Sequence, residues 1–295
     1  MCIKISSGTG VNQVDFSIFL KSVIVELIFK DYFKSLYLVK LKTNNMNNCG
    51  FAVYKRIFLT LIFIAMVAKS YSQEVPEYDK IATSVGNAEL HFVGHGSLWF
   101  KVNGFVIYID PVRSSGNYDF FPKADLILVT HEHGDHLDAK LIEDLKKPGT
   151  LLFCNQASTS RVTWGMAMNA GDRQEINNII IEAVPAYNIV HESTPGHPFH
   201  PKGSGVGYIL TIGGKRIYVA GDTENTPEMK ALSNIDVAFL PMNLPYTMTP
   251  EMVADAARAF KPKILYPYHT GETDTNELLK LLKDSGIEVR IRNLK

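Results

Sequence analysis

Residues 130–136, Thr130-His131-Glu132-His133-Gly134-Asp135-His136, place three imidazoles and two carboxylates within seven positions. The apolar run 125–130 predicts a buried β-strand, and 137–142 predicts the helix that follows. Because the turn between them is short and contains a glycine, it can gather three imidazoles and the Asp135 carboxylate at one edge of a sheet. These groups are the ligands of Zn²⁺ and similar divalent ions. Their density favours a metal site over the alternative of solvated loop histidines.

Two further residues of the ligand type follow predicted strands downstream. Gly221-Asp222-Thr223 follows the apolar strand 216–220, and His269 ends Tyr266-Pro267-Tyr268-His269, directly after 263–265. In this order the three motifs resemble the metallo-β-lactamase superfamily, whose His-x-His-x-Asp-His signature matches 131–136. The resemblance extends from Leu90 to the C-terminus. It implies an α/β fold, a four-layer αββα sandwich, and a metal-dependent hydrolase.

Strand-like and helix-like segments alternate along the rest of the chain, which by itself indicates only an α/β protein. Thr249 as cap and Pro250 at the first helical position form a favourable helix start. No linker or low-complexity stretch divides 73–295, so we expect one domain there. Helical patterns are predicted at 139–147, 158–169, 250–260 and 274–285.

The resemblance also implies how the ligands are shared between two metal ions. It assigns His131, His133 and a third histidine to one ion, and it assigns Asp135, His136 and His269 to the other, with Asp222 bridging both. Zn²⁺ is the expected metal, although the same ligands suit Mn²⁺ and Fe²⁺. Such a pair can hold a bridging hydroxide near neutral pH. Asp135 is in addition expected to orient the attacking water as a catalytic residue.

The third ligand of the first ion is where the chain departs from the common pattern. Asn188 stands where many relatives present a histidine, and we expect its amide to contact substrate or metal-bound water. The loop that follows carries three imidazoles. His200 is favoured because His-Pro-Lys-Gly directly precedes the next strand, and His191 is the second choice. An incomplete first site is the remaining alternative.

Residues outside the ligand motifs are assigned supporting roles. Gly94-His95-Gly96-Ser97 resembles a turn of the branch that includes ascorbate-6-phosphate lactonase and N-acyl-phosphatidylethanolamine phospholipase D. This resemblance implies that His95 contacts substrate or supports a ligand. Asp110 is similar to a structural Asp of the family, which orients the metal-binding loop. Glu132 is expected to point away from the site, and Lys202 is expected either to bind a substrate anion or to be solvated.

The overall charge argues against some classes of substrate. The 295-residue chain has a formal net charge of zero. From Gln73 onward, however, it holds 27 acidic and 21 basic residues, a net charge of −6, together with all nine histidines. An acidic domain offers no basic surface for nucleic acid or anionic membranes, so we expect a small-molecule substrate and no nucleic acid. The sequence does not indicate the oligomeric state.

The segment 46–72 has the pattern of a secretory signal peptide. Lys55-Arg56 precedes the apolar run 57–68, and small residues follow it. The alternative is a membrane anchor, but twelve apolar residues fall short of the roughly 20 that a span requires. We therefore expect a secreted or periplasmic protein with no membrane span in the mature chain. Residues 1–45 are interpreted as an upstream extension or a mis-assigned start.

Two hypotheses of different classes follow. The leading one is an exported hydrolase that uses a dinuclear metal-bridged hydroxide to cleave an ester, lactone or phosphodiester. The alternative is a non-catalytic envelope protein that keeps the fold and binds a small ligand or partner, and Asn188 is the feature in its favour. Cys154, the one cysteine left after the proposed leader, ends an apolar strand and is expected to be a buried structural thiol.

Overall fold

Two seven-stranded sheets form the middle of the computed structural model, which describes residues 77–295. In the first sheet the strands follow one another in chain order. Its first four strands pair antiparallel, and the fourth to the seventh pair parallel. They are β1 (Tyr78–Thr83), β2 (Gly86–Gly94), β3 (Ser97–Val102), β4 (Phe105–Ile109), β5 (Leu126–Val129), β6 (Leu151–Cys154) and β7 (Met166–Ala167).

The second sheet has the same mixed design, with antiparallel pairs at one side and parallel pairs at the other. Its strands are β8 (Arg173–Ile176), β9 (Ile179–Ala186), β12 (Gly205–Ile212), β13 (Lys215–Val219), β14 (Val237–Pro241), β15 (Ile264–Tyr268) and β16 (Glu288–Val289). They are arranged in the order β16-β15-β14-β13-β12-β9-β8. Between β9 and β12 the chain forms a separate short hairpin of β10 (Glu192–Thr194) and β11 (His197–Pro198).

Helices connect the parallel strands, as a parallel crossover requires. They are α1 (Ala139–Leu145), α2 (Pro227–Lys230), α3 (Pro250–Phe260) and α4 (Thr275–Leu282), with 3₁₀ turns at Arg113–Ser115 and Ala157–Ser160. The Thr249 side chain accepts a hydrogen bond from the Met252 amide, with Pro250 at the first helical position, so the predicted start of α3 is confirmed. The helix predicted at 158–169 is wrong, because this segment holds a 3₁₀ turn and β7.

Three apolar clusters hold these layers together. One lies between the two sheets and includes Phe92 and Tyr208. A second packs the second sheet against α2, α3 and α4, and a third packs the first sheet against α1 through Leu141 and Ile142. The order is therefore helix, sheet, sheet, helices, and the predicted four-layer αββα sandwich is confirmed.

The loops that carry the predicted ligands meet where strands of both sheets end. The Val206 amide at the start of β12 donates to the Thr130 carbonyl after β5, at 3.0 Å, and so joins the two sheets. Gly221, which precedes Asp222, has a φ of +67°, and a Cβ there would come within 3.0 Å of the Thr130 Cβ. A side chain at this position would force the two loops apart, so glycine is required for the close approach.

Two further sequence expectations concern the thiol and the membrane. Cys154 is fully buried, and burial raises its pKa to about 11, so it is the structural thiol that was expected. Across residues 77–295, none of the helices combines the length and apolarity that a membrane crossing needs. The proposed extension 1–45 and leader 46–72 lie outside the described residues.

Candidate metal centre

Three histidines from two separate loops form the first cluster. His131, His133 and His200 present ring nitrogens that lie within 4.8 Å of one another. His131 and His133 follow β5, and His200 lies in the loop after β11. His200 thus completes the trio, although it lies twelve residues beyond Asn188, where the family resemblance implies a histidine.

A second cluster lies directly beside the first. Asp135, His136 and His269 lie within the same 4.8 Å limit of one another, and His95 joins them. The Nε2 atom of His269 is 3.4 Å from the Asp135 Oδ2 atom, and the Nε2 atom of His95 is 3.2 Å from it. The structure therefore adds His95 to the three residues that the family pattern assigns to this ion.

Asp222 lies between the two clusters. Its carboxylate oxygens are 3.3 to 3.9 Å from four imidazole Nε2 atoms, two from each cluster, namely those of His131, His200, His136 and His269. Only a carboxylate placed between both groups can approach all four rings. This is the position that a bridging ligand requires.

The rings of His131 and His136 are each held by a hydrogen bond on Nδ1, the nitrogen that faces away from the clusters. The Nδ1 atom of His131 lies 3.0 Å from the Thr130 hydroxyl, and the Nδ1 atom of His136 lies 2.8 Å from Asp110 Oδ2. Asp110 also accepts from the amide and the hydroxyl of Thr130, both at 2.7 Å. With Nδ1 directed at these oxygens, His131 and His136 turn Nε2 toward the site, which is the arrangement of metal-binding histidines.

Burial and charge act on the same groups. Burial alone would raise the pKa of Asp222, but the surrounding imidazoles outweigh it and hold this pKa well below its ordinary value. Burial lowers the pKa of His200 to about 4 and that of His131 well below its ordinary value. Burial would lower the pKa of His136, but the Asp222 and Asp110 carboxylates outweigh it and raise this pKa well above its ordinary value. At neutral pH and without metal the site thus combines an ionised Asp222 with neutral His131 and His200, and His136 must release a proton when a cation binds.

The donor set fits divalent cations. Within residues 77–295, several buried atoms of the site have no hydrogen-bond partner: Nε2 of His131, His136, His200 and His269, and Oδ1 of Asp222. Buried polar atoms are rarely left unpaired, because each costs about 1–3 kcal/mol. Converging nitrogen and oxygen lone pairs without a donor are what a bound cation satisfies.

The remaining loop histidines do not take part in these clusters. The His191 imidazole is hydrogen-bonded to Glu224 at 2.7 Å. His197 lies on the exposed hairpin strand β11. Of the three candidates in this loop, the structure therefore places only His200 against His131 and His133.

The Asn188 side chain contacts other residues of the protein and not the space in which a substrate would bind. Its Oδ1 atom accepts from the amide and from Nδ1 of His200, at 2.9 and 2.7 Å. Its Nδ2 atom donates to Glu224 Oε1 and to the Tyr246 carbonyl, both at 2.9 Å. The substrate contact expected of Asn188 does not fit this geometry, because an amide offers two acceptor and two donor positions and all four are used inside the protein.

Other candidates have structural partners. The Glu132 carboxylate accepts a hydrogen bond from the side-chain Nδ2 atom of Asn155 at 2.7 Å and is directed away from the clusters, as expected. Lys202 is paired with Glu228 at 2.7 Å and so does not lie free for a substrate anion.

An open cavity of about 440 Å³ adjoins the second cluster. Sequence reasoning missed it because its walls come from distant parts of the chain. The His95 ring packs against the His269 ring at 3.7 Å between centroids with the ring planes tilted by 40°, and the φ of +51° at His95 is a strained conformation for a histidine. The cavity is lined by Val93, Gly94, His95, Ser114, Ser115, Asp135, Asn293 and Lys295.

The chain is similar to known metal-dependent hydrolases, as its clusters of metal-binding residues predict. Residues 89–269, more than half of the chain, match the family described as Beta-lactamase superfamily domain. The UPF0173 metal-dependent hydrolase of Methanopyrus kandleri is 30% identical over 222 residues, which cover 68% of this chain and 94% of that protein.

Solved structures show the same relationship. A Parabacteroides distasonis protein, provisionally described as a metal-dependent hydrolase, superimposes with a TM-score of 0.70 and 49% identity, covering 74% of this chain and 99% of the other. The metallo hydrolase Igni18 of Ignicoccus hospitalis gives a TM-score of 0.57 and 26% identity, with coverage of 70% and 95%. The chain therefore belongs to the β-lactamase superfamily, and it is a metal-dependent hydrolase with the metallo-β-lactamase fold.

Proposed function

We propose that this protein is an exported hydrolase that uses two divalent metal ions to cleave a small-molecule ester, lactone or phosphodiester. The observation that carries the proposal is the position of Asp222, whose carboxylate lies within 3.9 Å of imidazoles from both clusters. A single-ion site would not need a buried carboxylate shared between two sets of ligands.

The ligands divide between the ions as the two clusters do. His131, His133 and His200 would hold one ion, Asp135, His136 and His269 the other, and Asp222 both. Zn²⁺ is the metal that we expect, and Mn²⁺ and Fe²⁺ suit the same groups. When bound, such ions supply an ionised water near neutral pH and polarise a carbonyl or phosphoryl oxygen.

The side chains at the mouth of the site supply orientation. The Asp135 side chain is 47% exposed, so its carboxylate is accessible from solvent while it faces His95 and His269. In this position it would accept a hydrogen bond from the attacking water and fix its direction, which is the catalytic role that we propose for Asp135. His95 shares the adjoining cavity with Ser114, Ser115 and Asn293, where a polar part of the substrate would bind.

Metal content and a substrate panel test the proposal together. We expect purified protein to contain about two equivalents of metal and to hydrolyse at least one of bis-nitrophenyl phosphate, lactones and thioesters. His133→Ala should remove metal and activity. His197→Ala is the matched control, since His197 lies on an exposed strand outside both clusters. Folded protein that binds no metal would instead favour the ligand-binding envelope protein.

Export is tested separately, because it depends on residues 46–72 and not on the site. The full reading frame is expressed and the periplasmic fraction is then isolated. We expect the product in this fraction to begin near Gln73. Intact mass measurement identifies this start. A cell-associated product that retains 46–72 would contradict export and leave the hydrolase proposal unaffected.

A further inference from the structure

Asn188 contacts His200, the histidine that completes the first cluster. The Asn188 Oδ1 atom accepts from His200 Nδ1 at 2.7 Å. It also accepts from the His200 backbone amide at 2.9 Å, and the Asn188 amide donates to the His200 carbonyl at 2.8 Å. His200 is therefore held at its ring and on both sides of its backbone by one residue.

The orientation of the Asn188 amide is determined by the groups behind it. Its Nδ2 atom faces Glu224 Oε1 and the Tyr246 carbonyl, both at 2.9 Å. A carboxylate and a carbonyl only accept hydrogen bonds, so the NH₂ group must be directed toward them. Consequently the oxygen of Asn188 faces His200, and the His200 ring must donate from Nδ1.

Glu224 is in turn fixed by a ring of donors. It is fully buried. Its Oε1 atom accepts from Asn188 Nδ2 and from the amide and ring of His191 at 2.7 Å, and its Oε2 atom accepts from the amides of Ile189 and Val190 at 2.8 and 2.7 Å. Five N–H groups directed at two oxygens require an acceptor-only carboxylate.

The same segment carries the shared ligand. Glu224 lies two residues after Asp222, and its amide donates to the Tyr187 carbonyl at 3.0 Å. The Thr223 hydroxyl, between them in the chain, accepts from the Tyr187 amide at 3.0 Å. The loop after β9 and the loop after β13 are therefore joined, and His200 is positioned relative to Asp222 through these bonds.

We propose that Asn188 and Glu224 are positioning residues that fix His200 as its Nδ1–H tautomer and direct its Nε2 atom toward Asp222. Neither residue belongs to the clusters that would hold the ions. The inference rests on the proposed function in that His200 is taken as a ligand of the first ion. The end of β9 thus supplies an asparagine that, together with Glu224, supports a histidine twelve residues further along the chain.

The tautomer can be read directly in metal-free protein. Long-range ¹H–¹⁵N correlation spectra of the histidine rings distinguish Nδ1–H from Nε2–H, and a His200→Gln spectrum assigns the resonance. We expect His200 in the unaltered metal-free protein to be the Nδ1–H tautomer, and Asn188→Ala to give a mixture. An Nε2–H tautomer in the unaltered protein would overturn the proposal without reference to any variant.

Metal affinity supplies the second readout. In a chelator competition titration with Zn²⁺, Asn188→Ala and Glu224→Gln should weaken one of two bound ions by about 10- to 100-fold and leave the other within a few-fold. Asn225→Ala is the matched control. Its amide contacts Asp255 at 2.7 Å, outside the site, and its titration should equal that of the unaltered protein.

The outcomes separate the two proposals. Equal loss of both ions, or no loss in either variant, would overturn the positioning role. If the unaltered protein binds no metal, the proposed function fails, whereas the tautomer of His200 still decides whether Asn188 and Glu224 determine its ring.

Discussion

At the scale of single residues, the site depends on what each imidazole contacts behind the metal-facing nitrogen. His136 donates to Asp110, His131 to Thr130 and His200 to Asn188. Three different residue types thus provide the same acceptor function. A variant that changes one acceptor and keeps the ring should therefore change metal affinity without removing a ligand.

Asp110→Asn tests this at His136. Asparagine tolerates the φ of +47° found at Asp110, so the backbone should persist. The NH₂ group would, however, face N–H or O–H donors of Thr130 or His136, and the charge that favours the Nδ1–H tautomer is lost. We expect metal affinity to fall roughly 10- to 100-fold, measured by chelator competition.

The control for Asp110→Asn is Asp138→Asn. Asp138 caps α1 by accepting from the Leu141 amide, and asparagine is an equally good cap. Its metal affinity should match that of the unaltered protein. Unchanged affinity in Asp110→Asn would show that the tautomer of His136 is fixed by other means.

His95 lies where it could contact substrate, beside the second cluster and in the wall of the cavity. Its ring lies between Asp135 and the cavity, at 3.2 Å from the Asp135 carboxylate. If His95 contacts substrate, His95→Gln should lower kcat/KM by roughly 10- to 100-fold and keep both metal ions. Elemental analysis beside the kinetics checks this, and loss of one ion would instead assign His95 as a ligand.

At the scale of elements, β1, β2 and β3 are joined by a stacked aromatic column on the outer face of the first sheet. The His91 ring lies 3.5 Å from the Trp99 ring and 4.7 Å from the Tyr78 ring, measured between centroids. Burial lowers the pKa of His91 to about 4; Glu89, at 3.6 Å, opposes this shift, and Lys101 adds to it. The column is therefore stable only with a neutral imidazole.

This predicts a pH dependence of stability. The unfolded chain takes up a proton at His91 near pH 6.5, whereas the folded protein does so near pH 4. The contribution of neutral His91 to the free energy of unfolding is complete above about pH 6.5 and is lost as the pH falls toward 4. At pH 5 the loss is about 1–2 kcal/mol. Urea unfolding near pH 7.5 and near pH 5 gives the change in the free energy of unfolding between these two pH values. This change should be smaller for His91→Phe than for the unaltered protein. Equal differences would contradict the prediction.

Helices were predicted where a capping residue and an apolar stripe coincide, as at 250–260. The segment 158–169 was mispredicted because tertiary contacts outweigh its helical pattern. The Asn155 side chain accepts from the Ser158 amide and closes a 3₁₀ turn, and the Met168 amide then donates to the Cys154 carbonyl at 2.8 Å. Pairing of β7 with β6 at the sheet edge is a long-range contact that local periodicity does not contain.

At the scale of the whole molecule, the ligand motifs could be predicted from sequence because each follows a strand closely. His131–His136 follow β5, Asp222 follows β13 and His269 follows β15. The support of His200 could not be predicted, since Asn188 and Glu224 are 36 residues apart and meet only in the fold. The cavity walls, with Ser115 and Asn293, were missed for the same reason.

The ligands come from both sheets, so metal should bind the two halves of the sandwich together. The residues after β5 belong to the first sheet, and Asp222 and His269 follow strands of the second. A ligand that binds only the folded state stabilises it by about 2.7 kcal/mol at 100 times its Kd. Thermal unfolding with excess Zn²⁺ should therefore occur several degrees above that of chelator-treated protein.

Asp222→Asn is the informative variant for this stabilisation. It removes the carboxylate that, among residues 77–295, lies between the two clusters, and it keeps the shape of the side chain. Its Tm should respond to Zn²⁺ much less than that of the unaltered protein, because a neutral amide cannot bridge two cations effectively. If both proteins gain the same stability from Zn²⁺, the ions bind outside the shared site and do not connect the sheets through Asp222.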